Sequence, residues 1–244
     1  GVQPRLLQGS RGILDPETIE ASIVHLENPH ARTSLIVLEN TSNFGGGTIY
    51  PKETLDTIFT LATNSNLPVQ IDGARVWNAI VAADSDPKRL IQPGGSMSVC
   101  FSKGLGAPMG AMLLGSSHFI KEARRIQSML GGVMRQVGFM AAAALYGLRH
   151  NMTRLAEDHA NCSFIASRLT GNSALEIDLQ GVQTNILYFN VKAGTQRAAR
   201  LVNELAEDGI GALNVGSLVR LVTSINVSRK DCELAVEAVN RLLK

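Results

Sequence analysis

Residues 98–115 read SVCFSKGLGAPMGAMLLG, which places one lysine, Lys103, just past an apolar run and within a cluster of glycines. The run 97–101 is short, apolar and preceded by glycines, a pattern typical of a buried strand. The glycines after Lys103 allow the backbone to wrap closely around a ligand. A lone loop lysine is more often simply solvated, so the rest of the chain has to supply the partners that a reactive lysine needs.

Composition limits the class of protein. The chain has 244 residues, 45% of them hydrophobic, and a net charge of +2. It is long enough for one large domain or a large and a small one, and it has the profile of neither a disordered chain nor a nucleic-acid-binding protein. No apolar run has the length of a membrane span, and we expect no membrane partner and no metal. The three scattered cysteines favour a reducing compartment, so we predict a cytoplasmic protein.

The first part of the chain alternates predicted strands and helices. Predicted strands cover residues 33–41, 67–75, 97–101 and 110–115, and predicted helices cover 16–26, 51–64, 76–83 and 117–130. Apolar strands that alternate with helices indicate a parallel, covered sheet of an α/β protein.

Polar residues stand at the ends of three successive predicted strands. Glu39 ends the first, Asp72 and Arg75 end the second, and Lys103 follows the third. Ligands of such sheets bind at the carboxyl ends of the strands. We therefore expect an acid, a guanidinium group and a lysine to converge on one edge.

Asp72 and Lys103 are the pair that one cofactor requires. A lysine, with a usual pKa of about 10.4, must lose a proton before it can bond covalently to pyridoxal phosphate. That cofactor also needs a carboxylate at its pyridinium nitrogen. The residues alone leave a purely structural Asp72–Lys103 ion pair equally open.

The second part of the chain has a different pattern of predicted strands and helices. We predict a helix from residue 151 to about 169, half-buried antiparallel strands at 175–179 and 185–191, a helix at 195–208 and a strand at 217–227. Ser228 and Asp231 have the spacing of a capping box for a last helix. We expect a cofactor-binding large domain in residues 1–150 and a small α+β domain in residues 151–244.

Five stretches occur in order: ENTSN (39–43), IDGARVWNA (71–79), SVCFSKGLGAPMGAMLLG (98–115), LGGVMRQVGFMAAAALYGL (130–148) and RLVTSINVSRKD (220–231). Together they resemble the low-specificity L-threonine aldolases of the beta-eliminating lyase/threonine aldolase family. The resemblance implies the aspartate-aminotransferase fold (fold type I), with a three-layer α/β/α large domain and a smaller α+β C-terminal domain. It also implies pyridoxal 5'-phosphate as cofactor, and cleavage of L-threonine or L-allo-threonine to glycine and acetaldehyde.

The same resemblance implies a role for each matching residue. Lys103 is the lysine that bonds to the cofactor, and Asp72 is the partner of its pyridinium nitrogen. Arg75 lies beside the cofactor and helps to bind the substrate carboxylate, and Arg220 clamps that carboxylate from the small domain. Arg135 lies near the cofactor phosphate, in reach of a subunit interface, in a homodimer or homotetramer.

The chain departs from the family pattern at several positions. Ser42, a candidate substrate contact, stands where the family has a histidine near the substrate hydroxyl, and Ser224 also replaces a histidine. Gln127 and Ser128 stand where basic residues are expected. The family's phosphate-binding loop belongs to a segment that the resemblance places ahead of Gly1.

No histidine of this chain is predicted to replace the family's two histidines. Those present fall in predicted helices, at a helix end or in a loop: His25, His30, His118, His150 and His159. Two alternatives to the aldolase therefore stay open. One is a degenerate paralogue that acts as a non-enzymatic binding or oligomerising subunit, and the other is a related pyridoxal-phosphate lyase that eliminates at Cβ.

Overall fold

The first half of the chain forms a four-stranded sheet with helices packed on it. The computed structural model describes residues 2–24 and 32–244. The strands are β1 Ile36–Glu39, β2 Val69–Gly73, β3 Ser96–Cys100 and β4 Ala111–Leu114, and the helices are α1 Pro16–Glu20, α2 Lys52–Asn64, α3 Val76–Ala83, α4 Ser117–Met129 and α5 Gly138–His150. The helix predicted to reach residue 26 ends at Glu20, and the predictions for His25 and His30 lie outside the described residues.

The strand order is β1-β2-β3-β4. The first three strands are parallel, as predicted, but β4 runs antiparallel to β3. The expectation of a wholly parallel sheet is therefore wrong at its fourth strand. The physical reason is the short, helix-free connection over residues 101–110, since a parallel return needs a crossover of a dozen or more residues.

Helices cover one face of this sheet. Leu38, Ile71 and Val99 are buried on that face in one core with Ile58 of α2 and Val76 of α3. On the opposite face, among the described residues, Val37 is 57% exposed and Leu113 is 39% exposed. Among the described residues, helices therefore cover one face of the sheet, and the other face carries exposed side chains.

The second half of the chain forms a separate antiparallel sheet in the order β5-β6-β8-β7. Its elements are α6 Leu155–Leu169, β5 Leu175–Glu176, β6 Ile186–Val191, α7 Thr195–Glu207, β7 Leu213–Val215, β8 Leu218–Val222 and α8 Arg229–Leu242. A second apolar core lies between this sheet and its helices and includes Phe189, Leu201 and Val239. The predicted capping box of α8 is confirmed, because Ser228 and Asp231 bond reciprocally through side chain and backbone.

The two sheets meet at the loop that follows β1, residues 40–50. The Thr184 hydroxyl donates to the Gly47 carbonyl at 2.6 Å, and the Ile49 backbone N–H donates to Gln183 Oε1 at 2.8 Å. These bonds hold the second sheet beside the carboxyl ends of β1 and β2. Among the described residues no helix has the length and apolarity needed to cross a membrane.

Candidate active site

The ends of the parallel strands bring two carboxylates to one edge. Glu39 of β1 is in register with Asp72 of β2, which is in register with Ser98 of β3. The Asp72 side chain is exposed, and one of its oxygens accepts the Ala74 backbone N–H at 3.0 Å. Asp72 is therefore open to a ligand from the exposed face of the sheet.

Lys103 lies in the loop between β3 and β4, and its residue is exposed. The loop itself is firmly closed, because the Gly106 N–H donates to the Lys103 carbonyl at 2.9 Å. Leu105 is buried, and its carbonyl accepts a hydrogen bond from Asn151 Nδ2 at 2.9 Å. The exposed lysine thus projects from a backbone that the protein interior holds in place.

The thiol of Cys100 responds to the charge of Lys103. Burial raises the pKa of this thiol, but hydrogen bonds from Ser102 and the positive charge of Lys103 outweigh burial, so the pKa lies below its usual value. Cys100 shares a sheet face with Ser98, and Ser98 pairs with Asp72. The charge of Lys103 therefore acts on a thiol of the same sheet face that carries Asp72.

Arg75 and Arg220 converge on one acceptor from different sheets. Arg75 Nη1 donates to Asn43 Oδ1 at 3.0 Å, and Arg220 Nη1 donates to the same oxygen at 3.1 Å. Burial lowers the pKa of Arg75, and the neighbouring charge of Arg220 lowers it further, while Glu39 opposes the shift. A guanidinium group is positively charged in proteins, so two of them at one acceptor concentrate positive charge at this point of the site.

Tyr188 adds a polar group that the sequence analysis missed. It pairs with Arg220 across β6 and β8. Its hydroxyl and the Arg220 Nε are buried and have no hydrogen-bond partner among the described residues. A buried polar group without a partner is costly, which is a common property of groups that await a ligand. The alternating pattern of β6 puts Tyr188 on the less buried face of the strand. Only the register of β6 against β8 shows that its neighbour is Arg220.

Asn43 was also missed, although it closes the quoted stretch ENTSN. Ser42, the predicted substrate contact in that stretch, is 4% exposed. Its hydroxyl lies 3.5 Å from a Glu39 oxygen and accepts the Gly45 N–H at 3.2 Å, so it is engaged within the loop. Its role at the substrate stays a prediction.

Arg135 does not join this group. It lies in an exposed turn between α4 and α5, with no hydrogen bond to another described residue. Gln127 and Ser128 are exposed on α4, and Ser224 is half-buried just past β8. The assignment of Arg135 to the cofactor phosphate also stays a prediction.

The described histidines lie on helices and not at strand ends. His118 and His150 are exposed on α4 and α5. His159 lies on α6, 2.9 Å from Asn78 Oδ1, and burial lowers its pKa to about 4. Among residues 2–24 and 32–244, no histidine forms a hydrogen bond with the side chain of Asp72 or Lys103.

The donor set fits pyridoxal phosphate. The ring nitrogen needs a carboxylate, the aldehyde carbon needs an amine, and an amino-acid substrate needs a cationic site for its carboxylate. Asp72, Lys103 and the pair Arg75–Arg220 supply these three groups around one sheet edge.

Comparison with known proteins defines the class. The family model described as beta-eliminating lyase matches residues 1–192, and the chain belongs to this family. Within it, the chain is 38% identical over 230 residues to the low specificity L-threonine aldolase of Escherichia coli O157:H7, covering 94% of this chain and 66% of that protein. It is 35% identical over 248 residues to an Arabidopsis thaliana protein named "Probable low-specificity L-threonine aldolase 2", covering 99% of this chain and 70% of that one. The chain thus spans about two thirds of the length of these relatives.

Solved structures confirm the fold. The threonine aldolase of Leishmania major superposes with a TM-score of 0.78 at 19% identity, covering 98% of this chain and 70% of that one. An aspartate aminotransferase of Thermotoga maritima superposes with a TM-score of 0.70 at 19% identity, covering 93% and 59%. The predicted fold type I architecture and the prediction of pyridoxal phosphate as the family's cofactor are confirmed.

Proposed function

We propose that this protein is a pyridoxal-phosphate-dependent aldehyde-lyase that cleaves L-threonine and L-allo-threonine to glycine and acetaldehyde. The observation that carries the proposal is the convergence of Arg75 and Arg220 on one point beside the strand ends of Asp72 and Lys103. Two guanidinium groups suit a carboxylate. The Escherichia coli relative named above is a low specificity L-threonine aldolase.

Each residue has a defined task in this proposal. Lys103 binds the cofactor covalently, and Asp72 keeps its ring nitrogen protonated. Arg75 and Arg220 orient the substrate by its carboxylate, and Arg135 reaches the phosphate. When bound, pyridoxal phosphate accepts the electron pair of the carbon–carbon bond that breaks.

Ser42 follows the same strand edge and is the proposed contact of the substrate hydroxyl. A serine hydroxyl is a poor proton acceptor near neutral pH, whereas a well-placed general base contributes about 10²–10⁴-fold to a rate. The proposal therefore assigns to Ser42 a positioning hydrogen bond rather than removal of the proton.

The proposal is tested by measuring acetaldehyde release from both threonine isomers with the cofactor-loaded chain. Arg220→Lys, which loses the planar fork that grips a carboxylate, should lower kcat/KM by about a hundredfold or more. Arg168→Lys, at an exposed position on α6, makes the same chemical change outside the site and should leave kcat/KM unchanged. A folded, cofactor-loaded chain that releases no acetaldehyde would contradict the proposal and favour a non-catalytic paralogue or a β-eliminating lyase.

We also propose that residues 1–150 and 151–244 form two domains in a homodimer or homotetramer in the cytoplasm. Two separate apolar cores support the division. Exposed apolar side chains on and after α4, including Met129 at 68% and Phe139 at 76%, support self-association. Light scattering gives the oligomer mass, and a monomer at micromolar concentration would contradict that part.

A further inference from the structure

Asn43 occupies the point where the two arginines meet. Its amide oxygen accepts from Arg75 at 3.0 Å and from Arg220 at 3.1 Å. Because a guanidinium group only donates hydrogen bonds, the amide must face it with its oxygen. The backbone of Asn43 is also fixed, since its N–H donates to Glu39 Oε2 at 3.0 Å and its carbonyl accepts from Gly46 at 3.3 Å.

This arrangement leaves positive charge without full compensation. Arg75 and Arg220 each carry a charge, and the acceptor that they share is neutral. Glu39 is the carboxylate whose charge acts on Arg75. The buried Arg220 Nε and the Tyr188 hydroxyl lack partners among the described residues, so the point has spare hydrogen-bonding capacity. An anion with two oxygens would balance the positive charge and would also accept hydrogen bonds from these unpartnered groups.

We propose that Asn43 is a positioning residue for carboxylate recognition. Its amide oxygen holds the two guanidinium groups together before the substrate arrives, and then gives up these bonds to the substrate carboxylate. This preorganisation lowers the cost of ordering two long side chains on binding. An amide suits the task because it accepts both bonds without neutralising the charge. The inference rests on the proposed function, in which Arg75 and Arg220 receive the carboxylate.

Asn43→Asp tests the inference, because it keeps the side-chain shape and adds the negative charge that the substrate would bring. We expect the full 244-residue Asn43→Asp chain to bind glycine at least tenfold more weakly than the wild-type chain does. Binding is measured by NMR from the shifts of the arginine Nε–H resonances. Glycinamide, which lacks the carboxylate, is the matched ligand and should produce no shift at Arg75 or Arg220 in either protein. Asn66→Asp is the matched variant, since exposed Asn66 precedes β2 at the opposite edge of the sheet.

A wild-type measurement accompanies the variant and does not depend on its folding. The side-chain amide resonances of Asn43 should move when glycine is added and stay fixed when glycinamide is added. The inference is overturned if Asn43→Asp binds glycine within threefold of wild type, or if glycine leaves the Asn43 amide unmoved. Failure of the proposed function has a different signature: glycine still binds at Asn43, Arg75 and Arg220, while the cofactor-loaded chain releases no acetaldehyde from threonine.

Discussion

Two adjacent side chains of α6, Asp158 and His159, respond to pH in opposite directions. Burial raises the pKa of Asp158 to about 6, with Glu157 adding to the rise and Arg154 opposing it. Burial lowers the pKa of His159 to about 4. Ionisation of Asp158 thus removes stability as the pH rises from about 4 to 6, and protonation of His159 removes stability as the pH falls through the same interval. The two effects oppose each other, so the pair together should change the wild-type unfolding free energy little in this interval.

Asp158→Asn removes the titration of the Asp158 carboxyl and leaves that of His159. Between pH 4 and 6.5 the unfolding free energy of the variant should rise relative to that of wild type, by up to roughly 3 kcal/mol, because the opposing titration of Asp158 is removed and that of His159 remains. Urea denaturation at half-unit pH steps measures the change. Asp56→Asn, at an exposed position on α2, is the control and should keep the wild-type profile. Parallel profiles for Asp158→Asn and wild type would show that the two groups do not oppose each other.

At the residue scale, the sequence pointed to groups that follow apolar runs. Asp72 and Lys103 could be selected because each follows a strand-like segment, and the structure places both at the strand ends. Asn43 and Tyr188 could not, because their importance depends on Arg220, which lies far along the chain. Neither the register of β6 against β8 nor the contact of Arg220 with the loop after β1 is written in any local pattern.

At the scale of elements, α5 sets the position of the lysine loop. A Cβ atom on Gly147 would lie 2.6 Å from the carbonyl oxygen of Leu105, which is two residues beyond Lys103. The same carbonyl receives the Asn151 hydrogen bond. The glycine therefore permits the contact between helix and loop, and a larger residue would have to push the loop toward the site.

Gly147→Ala should lower the melting temperature and reduce the amount of cofactor bound at Lys103. Replacing glycine with alanine in a helix interior normally stabilises the protein by about 1 kcal/mol. A lower melting temperature for Gly147→Ala would therefore be the opposite of the usual effect. Gly138→Ala in the same helix is the control, because nothing lies within 4 Å of its added Cβ. Thermal melts and cofactor titration of both variants make the comparison, and equal behaviour would refute the role assigned to α5.

The elements also show where sequence patterns suffice. The spacing predicted α3 at residues 76–83, and the structure has Val76–Ala83. The direction of β4 was wrong, since an apolar run does not encode strand polarity and only the length of the connection does. The three-residue strand β7 was missed, because a segment that short has no measurable periodicity.

On the scale of the whole molecule, the site is assembled by two sheets from opposite ends of the chain. The loop after β1 receives Thr184 and Arg220 from the second sheet and lies beside the strand end that carries Asp72. We propose that this assembly holds pyridoxal phosphate on Lys103. In open α/β sheets ligands bind at the carboxyl ends of the strands, which is where this assembly lies.

The most direct test is borohydride reduction of the pyridoxal-phosphate-loaded chain followed by peptide mass spectrometry. Reduction fixes the cofactor on its lysine, and trypsin does not cut after a modified lysine. The account predicts a pyridoxyl group on Lys103 within an uncut peptide of residues 90–121, and its loss in Lys103→Arg. Lys121 and Lys192 are the comparison lysines in ordinary polar settings. A pyridoxyl group on either of them, with Lys103 unmodified, would contradict the account.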